Sequence, residues 1–585
     1  MGMALQHARR LTRGFHAMHL PPGVAALRPP REPHALAQQA YSPRAAEPII
    51  YVCQAGSCRA AGSEAVLLEM NELVLNTGCA AQPTGCLGAC RQAPNALFSQ
   101  PDAREVLHTR LDSVEKSAAV AGKATGRVPQ LADPARQQRL APARRLRARQ
   151  QAWREKKWNA ALSGMADEVA ASSCEEERII LQFERAQLYH SAGQWELALE
   201  QLRAVQAASN HPQVLMGLGI VLGKLGRLEE LDALQADTAQ CFVNPESART
   251  RTHIANFLQR CRADAARAGP DQPPRIEGYA EWTLSAVSPV SAHSALFRFA
   301  SSDRSRSTPN PRTALHKTWH TTMLAEVGPN EEGPLPWVER DYAPVSTWMD
   351  WERGECDLIV TVHPAGTATA WLHRQEPGRR VWLSRPKKTM HIPTLVTEIR
   401  ASDSVAALRH KGVLLVVGGT GLVTGAAQVL QHADQETCFG VSTQSAPPLT
   451  SPVSLIYACR RDDVLMTGDL ARWCTAEAGR ARLQRCVLAL SSQAPHAWQP
   501  APTTPFTTHA RATGEVELAA LPNVSLVESL VTRELLESEL ALLRAHVQGG
   551  MCRVVVAGPA AFNRAVREML VESGEDMATV TILDS

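Results

Sequence analysis

The sequence predicts a multidomain chain: an α/β unit with four spaced cysteines, an all-α middle, a β-barrel and a closing α/β domain. Three observations lead there. Cys53, Cys58, Cys86 and Cys90 bracket one strand-helix pattern, a helical period with recurring tryptophan or leucine motifs fills residues 151–265, and short strand-like runs follow after residue 275. The last run opens the uncharged stretch Gly412–Ala433, GVLLVVGGTGLVTGAAQVLQHA.

At 585 residues the chain is too long for a single core, and several domains are expected. A net charge of +3 and a pI near 8.2 argue against a dedicated nucleic-acid binder. Its 14 cysteines are scattered except for the N-terminal group, the usage of a reducing compartment with that group reserved for metal. The first acidic residue is Glu32, preceded by Arg9, Arg10, Arg13, Arg28 and Arg31 among alanines and leucines. Residues 1–46 therefore resemble an organelle transit peptide, mitochondrial or plastid, the alternative being a disordered basic start with no address.

In residues 47–118, Ile49–Val52 reads as a strand leading into Cys53 and Cys58, and Ser63 is placed to cap a helix through Val66, Met70 and Leu73. Cys86 and Cys90 follow. Four thiolates at the ends of a strand-helix unit suit a [2Fe-2S] cluster, and they could equally hold zinc, although structural zinc more often uses pairs two residues apart. YVCQAGSCRAAGS with TGCLGACRQAPNALF resembles the thioredoxin-like [2Fe-2S] ferredoxins, and that resemblance implies Cys53, Cys58, Cys86 and Cys90 as cluster ligands. Cys79 falls outside the pattern, and Gly88 keeps the second loop free of side-chain bulk.

Residues 119–150 read as a basic solvated linker or a frayed helix, with nine basic residues and one acid between Arg136 and Lys157. RNA binding there lacks aromatic support. From 151 to 265 a weak repeat recurs as KKWNAAL, GQWELAL and GRLEELD. Its interval and its small residues resemble a short tetratricopeptide array, which would offer a protein partner a concave surface; a plain helical spacer is the other reading.

Residues 275–402 carry WTLSAVSPVS, SALFRFAS, WHTTMLAEV, CDLIVTVHP and RRVWLSRP, short strands at barrel spacing. Gly412–Ala433, within 403–585, is long enough to span a membrane, but Gly418, Gly419 and Gly421 at its centre make a poor helix interior. A buried strand Val413–Val417, a glycine turn and a helix from Leu422 fit better, and such a turn can cradle a phosphate or only pack a helix on a strand.

Together with Arg340-Asp-Tyr342-Ala343-Pro344, Gly366-Thr367-Ala-Thr369 and Ala557-Gly558-Pro559, this stretch resembles the ferredoxin-NADP reductase superfamily, nearest the cytochrome b5 reductase branch. The resemblance implies FAD contacts at Arg340, Tyr342, Ala343, Gly366, Thr367 and Thr369. It implies NAD(P)H contacts at Gly419, Thr420, Gly421, Gly558 and Pro559. IYACRRDDVLMTGDL matches that family's second strand and helix. Four positions depart from the pattern: Ala343 replaces a hydroxyl residue, Ala557 a cysteine, Arg385 a glycine and Thr424 a proline. No arginine adjoins Ser491-Ser492, which points to NADH over NADPH. The sequence thus reads as an electron-transfer flavoprotein linking NAD(P)H, FAD and an internal [2Fe-2S] cluster, with an unidentified external donor or acceptor, no nucleic acid and no transmembrane segment. The alternative is a non-enzymatic iron-sulfur or scaffold protein with a degenerate reductase half.

Overall fold

The structure is a computed structural model describing residues 48–100, 103–172, 174–241, 248–268, 276–301, 317–328, 333–363, 366–391, 412–431, 452–475, 483–491, 518–548 and 550–584. The expected transit peptide and Ser492 lie outside these residues. The chain divides into two compact units, Met1–Glu277 with Glu331–Leu335, and Gly278–Asn330 with Pro336–Ser585.

The first unit opens with a four-stranded sheet of order β2-β1-β3-β4, built from β1 (Ile49–Cys53), β2 (Ala80–Thr84), β3 (Ala96–Gln100) and β4 (Ala103–His108). β1 and β2 are parallel, joined through α1 (Gly56–Ala60) and α2 (Ser63–Leu73), while β3 runs antiparallel to both β1 and β4. Ile50, Val52, Val66, Met70 and Leu73 form its core. Ser63 does not cap α2. Gly62, at φ +97°, is the N-cap, a left-handed conformation that glycine adopts without steric cost, and Ser63 is the first, buried, helical residue.

Residues 119–150 are not a linker. α3 (Val114–Thr125) crosses the proposed boundary at 118, and α4 (Pro134–Glu155) is a 22-residue helix whose Leu140 is fully buried in the same core. Several arginines of α4 are paired in three dimensions. Arg139 pairs with Glu72, Arg147 with the buried Glu69, and Arg149 with Glu168 and Glu184.

Helical hairpins follow: α5 (Trp158–Leu162), α6 (Met165–Ala171), α7 (Glu175–Ser191), α8 (Trp195–Ala208), α9 (Pro212–Lys224), α10 (Leu228–Cys241) and α11 (Ala248–Ala268). Each repeat motif begins with a left-handed residue, Lys156, Gly193 or Gly226, that turns one helix into the next. α4 is thus the first arm of this series. At Gly219 the chain leaves room for Leu258, so α9 and α11 pack closely.

The second unit begins with β5 (Tyr279–Pro289), β6 (Ser294–Ala300), β7 (Lys317–Ala325), β8 (Val338–Tyr342), β9 (Glu355–Thr361), β10 (Arg380–Ser384) and β11 (Lys387–His391). They form an antiparallel sheet of order β11-β7-β10-β5-β6-β9, with β8 on β7. A bridge between Pro344 and Leu358, with Val345 N donating to Asp357 O at 2.9 Å, joins the β8 end to β9 and closes the sheet into a barrel. Trp282, Phe297, Phe299, Met323 and Trp351 fill it.

The remaining strands are β12 (Gly412–Gly418), β13 (Val453–Arg460), β14 (Leu483–Ser491), β15 (Val524–Val527), β16 (Cys552–Gly558) and β17 (Val580–Asp584), all parallel in the order β15-β14-β13-β12-β16-β17. Every residue of β12 is buried. Val413, Leu415 and Val417 join one core while Leu414 and Val416 join the other, which is why the strand carries no polar alternation. No helix among the described residues is long and apolar enough to cross a membrane. Gly412–Gln431 is this strand followed by a helix.

Candidate functional site

From β12 the chain proceeds to β13, β14 and β15 on one side, then to β16 and β17 on the other. The order reverses between β12 and β16, and in open α/β sheets ligands bind beyond the strand ends at such a point. There the Gly418–Gly421 turn and Ala557-Gly558-Pro559 lie side by side. Gly419 adopts φ +53° to make the turn. A Cβ at Gly421 would overlap the Ala557 carbonyl oxygen, and one at Gly425 would stand 2.7 Å from the Ala557 Cβ. These two glycines are thus required by the packing of the helix on β16.

That helix spans 421–431, and its turn Val423–Ala427 is π-helical rather than the regular helix expected from Leu422. It reaches the barrel through Gln428, which is bonded to Trp319 and Pro344, and through Gln431, whose Nε2 donates to Val345 O at 3.1 Å. A second tie lies at the β5–β6 turn, where Ser291 and Ser294 donate to the buried Asp463 and His293 contacts Asp462. Burial pushes the Asp463 carboxyl above its usual range, against the two serine hydrogen bonds.

Between barrel and sheet lies a cavity of about 620 Å³. Arg340, Tyr342, Ala343, Gly366, Thr367, Thr369, Thr420, Gly421, Gly558 and Pro559 all line it, as do the departing residues Ala557 and Thr424. Gly419 shapes the turn but does not line the cavity. Arg340 is exposed and donates to Glu339 O at 2.9 Å. The Tyr342 hydroxyl is buried without a hydrogen-bond partner among the described residues, and burial pushes its phenol up to about 12. Gly366 caps α12 (Thr367–His373), and Thr369 Oγ1 accepts from His363 N at 3.2 Å.

Sequence reasoning missed His320, Asp341, His363, Lys388 and Thr389, which line the same cavity. His320, Lys388 and Thr389 sit on paired strands of the barrel, and a strand period alone does not reveal which of their side chains face inward.

Cys53 and Cys58 are buried at the end of β1 and in α1, whereas Cys86 is exposed in the loop after β2. Gly88 N, at a residue with φ +85°, donates to Cys86 Sγ at 3.4 Å. Cys90 opens a short 3₁₀ turn, and its side chain lies outside the described residues. Among the described residues no three His, Cys, Asp or Glu side chains gather as a metal site.

No protein-family model and no curated protein matches this sequence. Among solved structures it is similar to the cytochrome b5 reductase domain of Ulva prolifera nitrate reductase, at 18% identity over 52% of this chain and 96% of that one, with a TM-score of 0.32. It is also similar to the ferredoxin reductase in carbazole 1,9a-dioxygenase, at 15% identity over 54% and 70% of the two chains, TM-score 0.33. A third likeness is to phthalate dioxygenase reductase, described as a modular structure for electron transfer from pyridine nucleotides to [2Fe-2S], at 15% identity over 52% and 68%, TM-score 0.28.

Proposed function

We propose that the second unit binds FAD and a nicotinamide dinucleotide in this cavity and is an NAD(P)H-dependent oxidoreductase. The observation that carries the reading is the gathering of the arginine-tyrosine segment, the Gly366–Thr369 segment, the glycine turn and Gly558-Pro559 around one cavity at the switch point. The residues fit such ligands. Tyr342 offers a buried hydroxyl in need of a partner, Arg340 a fixed positive charge for phosphate, and the turn a backbone without side-chain bulk. Its volume lies within the range of small-molecule sites.

A bound flavin would supply the conversion between hydride transfer and single-electron transfer. The chain's own task is to orient and to exclude water. Tyr342 stays protonated at any ordinary pH and acts as a neutral hydrogen-bonding group. Ile359, Val423 and Ala557 give the cavity an apolar side. Along the chain no arginine adjoins Ser491, which favours NADH, whereas Arg460 stands opposite Ser491 across β13 and β14 and weighs towards NADPH.

The N-terminal α/β unit is proposed, on the spacing of Cys53, Cys58, Cys86 and Cys90, as the seat of a [2Fe-2S] cluster. No step of the cavity chemistry depends on it. The helical hairpins are proposed to dock a protein partner, and residues 1–46 to direct the chain to an organelle. A second reading, a non-enzymatic redox or scaffold protein, is favoured by glycines whose places packing alone explains.

Anaerobic titration of FAD-reconstituted protein with NADH and NADPH tests the first reading. Bleaching of a bound flavin band is expected. Failure to retain any flavin would sink the enzyme reading, and a bound flavin that neither nucleotide bleaches would favour the second. Electron paramagnetic resonance of iron-reconstituted protein tests the cluster: a signal lost in Cys86→Ser supports the ligand set, and one that survives refutes it.

A further inference from the structure

β11 carries a bulge against β7. Lys387 faces His320 and Lys388 faces Trp319, whereas Met390 resumes opposite Thr318, leaving Thr389 as the extra residue. Bulges beside active sites re-aim a side chain. Here the Thr389 hydroxyl reaches His320 Nδ1 at 2.8 Å, and both residues line the cavity. On the other edge of the ring, His320 Nε2 stands 4.0 Å from Asp341 Oδ2. Asp341 Oδ1 in turn accepts from Thr322 Oγ1 at 2.5 Å, and Thr322 Oγ1 accepts from Lys387 Nζ at 2.8 Å. A hydroxyl, an imidazole and a carboxylate thus follow one another along the cavity wall, on β11, β7 and β8.

We propose that the bulged Thr389 hydroxyl hydrogen-bonds the polar edge of the ring ligand, and that His320, backed by Asp341, holds the proton delivered through it. The proposal rests on the reading that the cavity takes FAD. On reduction by the nicotinamide nucleotide the ring's polar edge becomes more basic. One proton then leaves His320 Nδ1 for Thr389 Oγ1 as the Thr389 hydroxyl proton passes to that edge. Thr389 ends unchanged, the imidazole ends neutral, and the protein gives no electron. Asp341 favours the charged imidazole before the transfer. The charged or titratable groups around the pair also include Glu339, Arg340 and Tyr342 on β8, Tyr279 on β5, Lys387 and Lys388 on β11, and His363 after β9; the three cations work against charge on the ring, and Asp341 is the carboxylate placed 4.0 Å from it to sustain that charge.

The pH profile of anaerobic flavin bleaching by NADH tests the relay in the full-length protein. The wild type is expected to show a break set by one imidazole, and Thr389→Val and His320→Gln to lose that break and to bleach about 10²-fold more slowly. Thr389→Ser should restore it. A wild-type profile in Thr389→Val would overturn the proposal. A second measurement needs no flavin: ¹⁵N nuclear magnetic resonance titration of the His320 ring. Asp341→Asn should lower its titration midpoint, and Thr389→Val should move the Nδ1 resonance; indifference to both changes would also overturn the proposal. Failure of the wild type to retain flavin would count against the function proposed for the cavity, and the ring titration would still decide the relay.

Discussion

Gln428 and Trp319 satisfy one another: the Gln428 Oε1 accepts the Trp319 N–H at 2.7 Å and its Nε2 donates to the Trp319 carbonyl at 2.9 Å. The same Nε2 donates to Pro344 O, also at 2.9 Å. Trp319 lies opposite Lys388, where the β11 bulge begins, so a side chain from the parallel-sheet half completes the barrel's interrupted ladder. The glycine turn and the Tyr342-Ala343-Pro344 segment are thereby fixed against each other.

Gln428→Leu keeps the volume and removes all three bonds, leaving the Trp319 N–H and two carbonyls buried without this partner. A loss of about 2–3 kcal/mol is expected in urea denaturation followed by tryptophan fluorescence, since each buried orphan costs on the order of 1–3 kcal/mol and local relaxation recovers part of it. A change under 0.5 kcal/mol, the ordinary scale of a surface substitution at roughly ±0.5 kcal/mol, would show that the contact does not hold the two halves together.

In the first unit, Glu69 is fully buried and accepts from Ser117 Oγ at 2.7 Å and from Arg147 Nε at 2.8 Å. Arg147→Met leaves the carboxylate buried with only the serine, and a loss of about 3–5 kcal/mol is expected in chemical denaturation. The double variant with Glu69→Leu should recover most of it; equal losses in single and double variants would mean that the pair is not the cause.

The extent to which this architecture could be read from sequence depends on whether the partners are local. β12 was legible because five consecutive apolar residues before a glycine turn suit a strand covered on both faces, and the cavity segments were legible as short motifs. α4 was not. Its arginines suggest a solvated linker until their partners are known, and Glu72 and Glu69 stand 67 and 78 residues away from Arg139 and Arg147 in the chain. His320 and Thr389 were missed for a related reason: they meet across a bulge, and the five-residue strand Lys387–His391 is too short and polar for its alternation to show where the extra residue falls.

His190 provides a pH test. Burial, with a smaller effect from Lys224, lowers its pKa below the ordinary 6.5, against the opposing effect of Glu277. Below 6.5 the unfolded chain therefore binds a proton that the folded chain resists, so stability falls as pH drops from 6.5 towards the depressed folded value. Thermal denaturation across that window should show the loss in the wild type and a shallower slope in His190→Gln. Equal slopes would assign the acid sensitivity elsewhere.

Gly421→Ala tests whether the turn's place in the fold matters for the cavity. A Cβ there meets the Ala557 carbonyl oxygen and the backbone at Gly558, which cannot rotate away, whereas a Cβ at Gly219 meets mainly the end of the Leu258 side chain, which can. Overpacking against backbone costs about 1–3 kcal/mol. Gly421→Ala is therefore expected to lower stability by that amount and, by pushing the turn away from β16 at the cavity wall, to weaken retention of FAD or nucleotide in equilibrium dialysis. Gly219→Ala should cost less and leave ligand retention unchanged. If Gly421→Ala loses stability but retains ligand as the wild type does, the glycine serves packing alone, and the turn's part in the cavity must be assigned to Thr420.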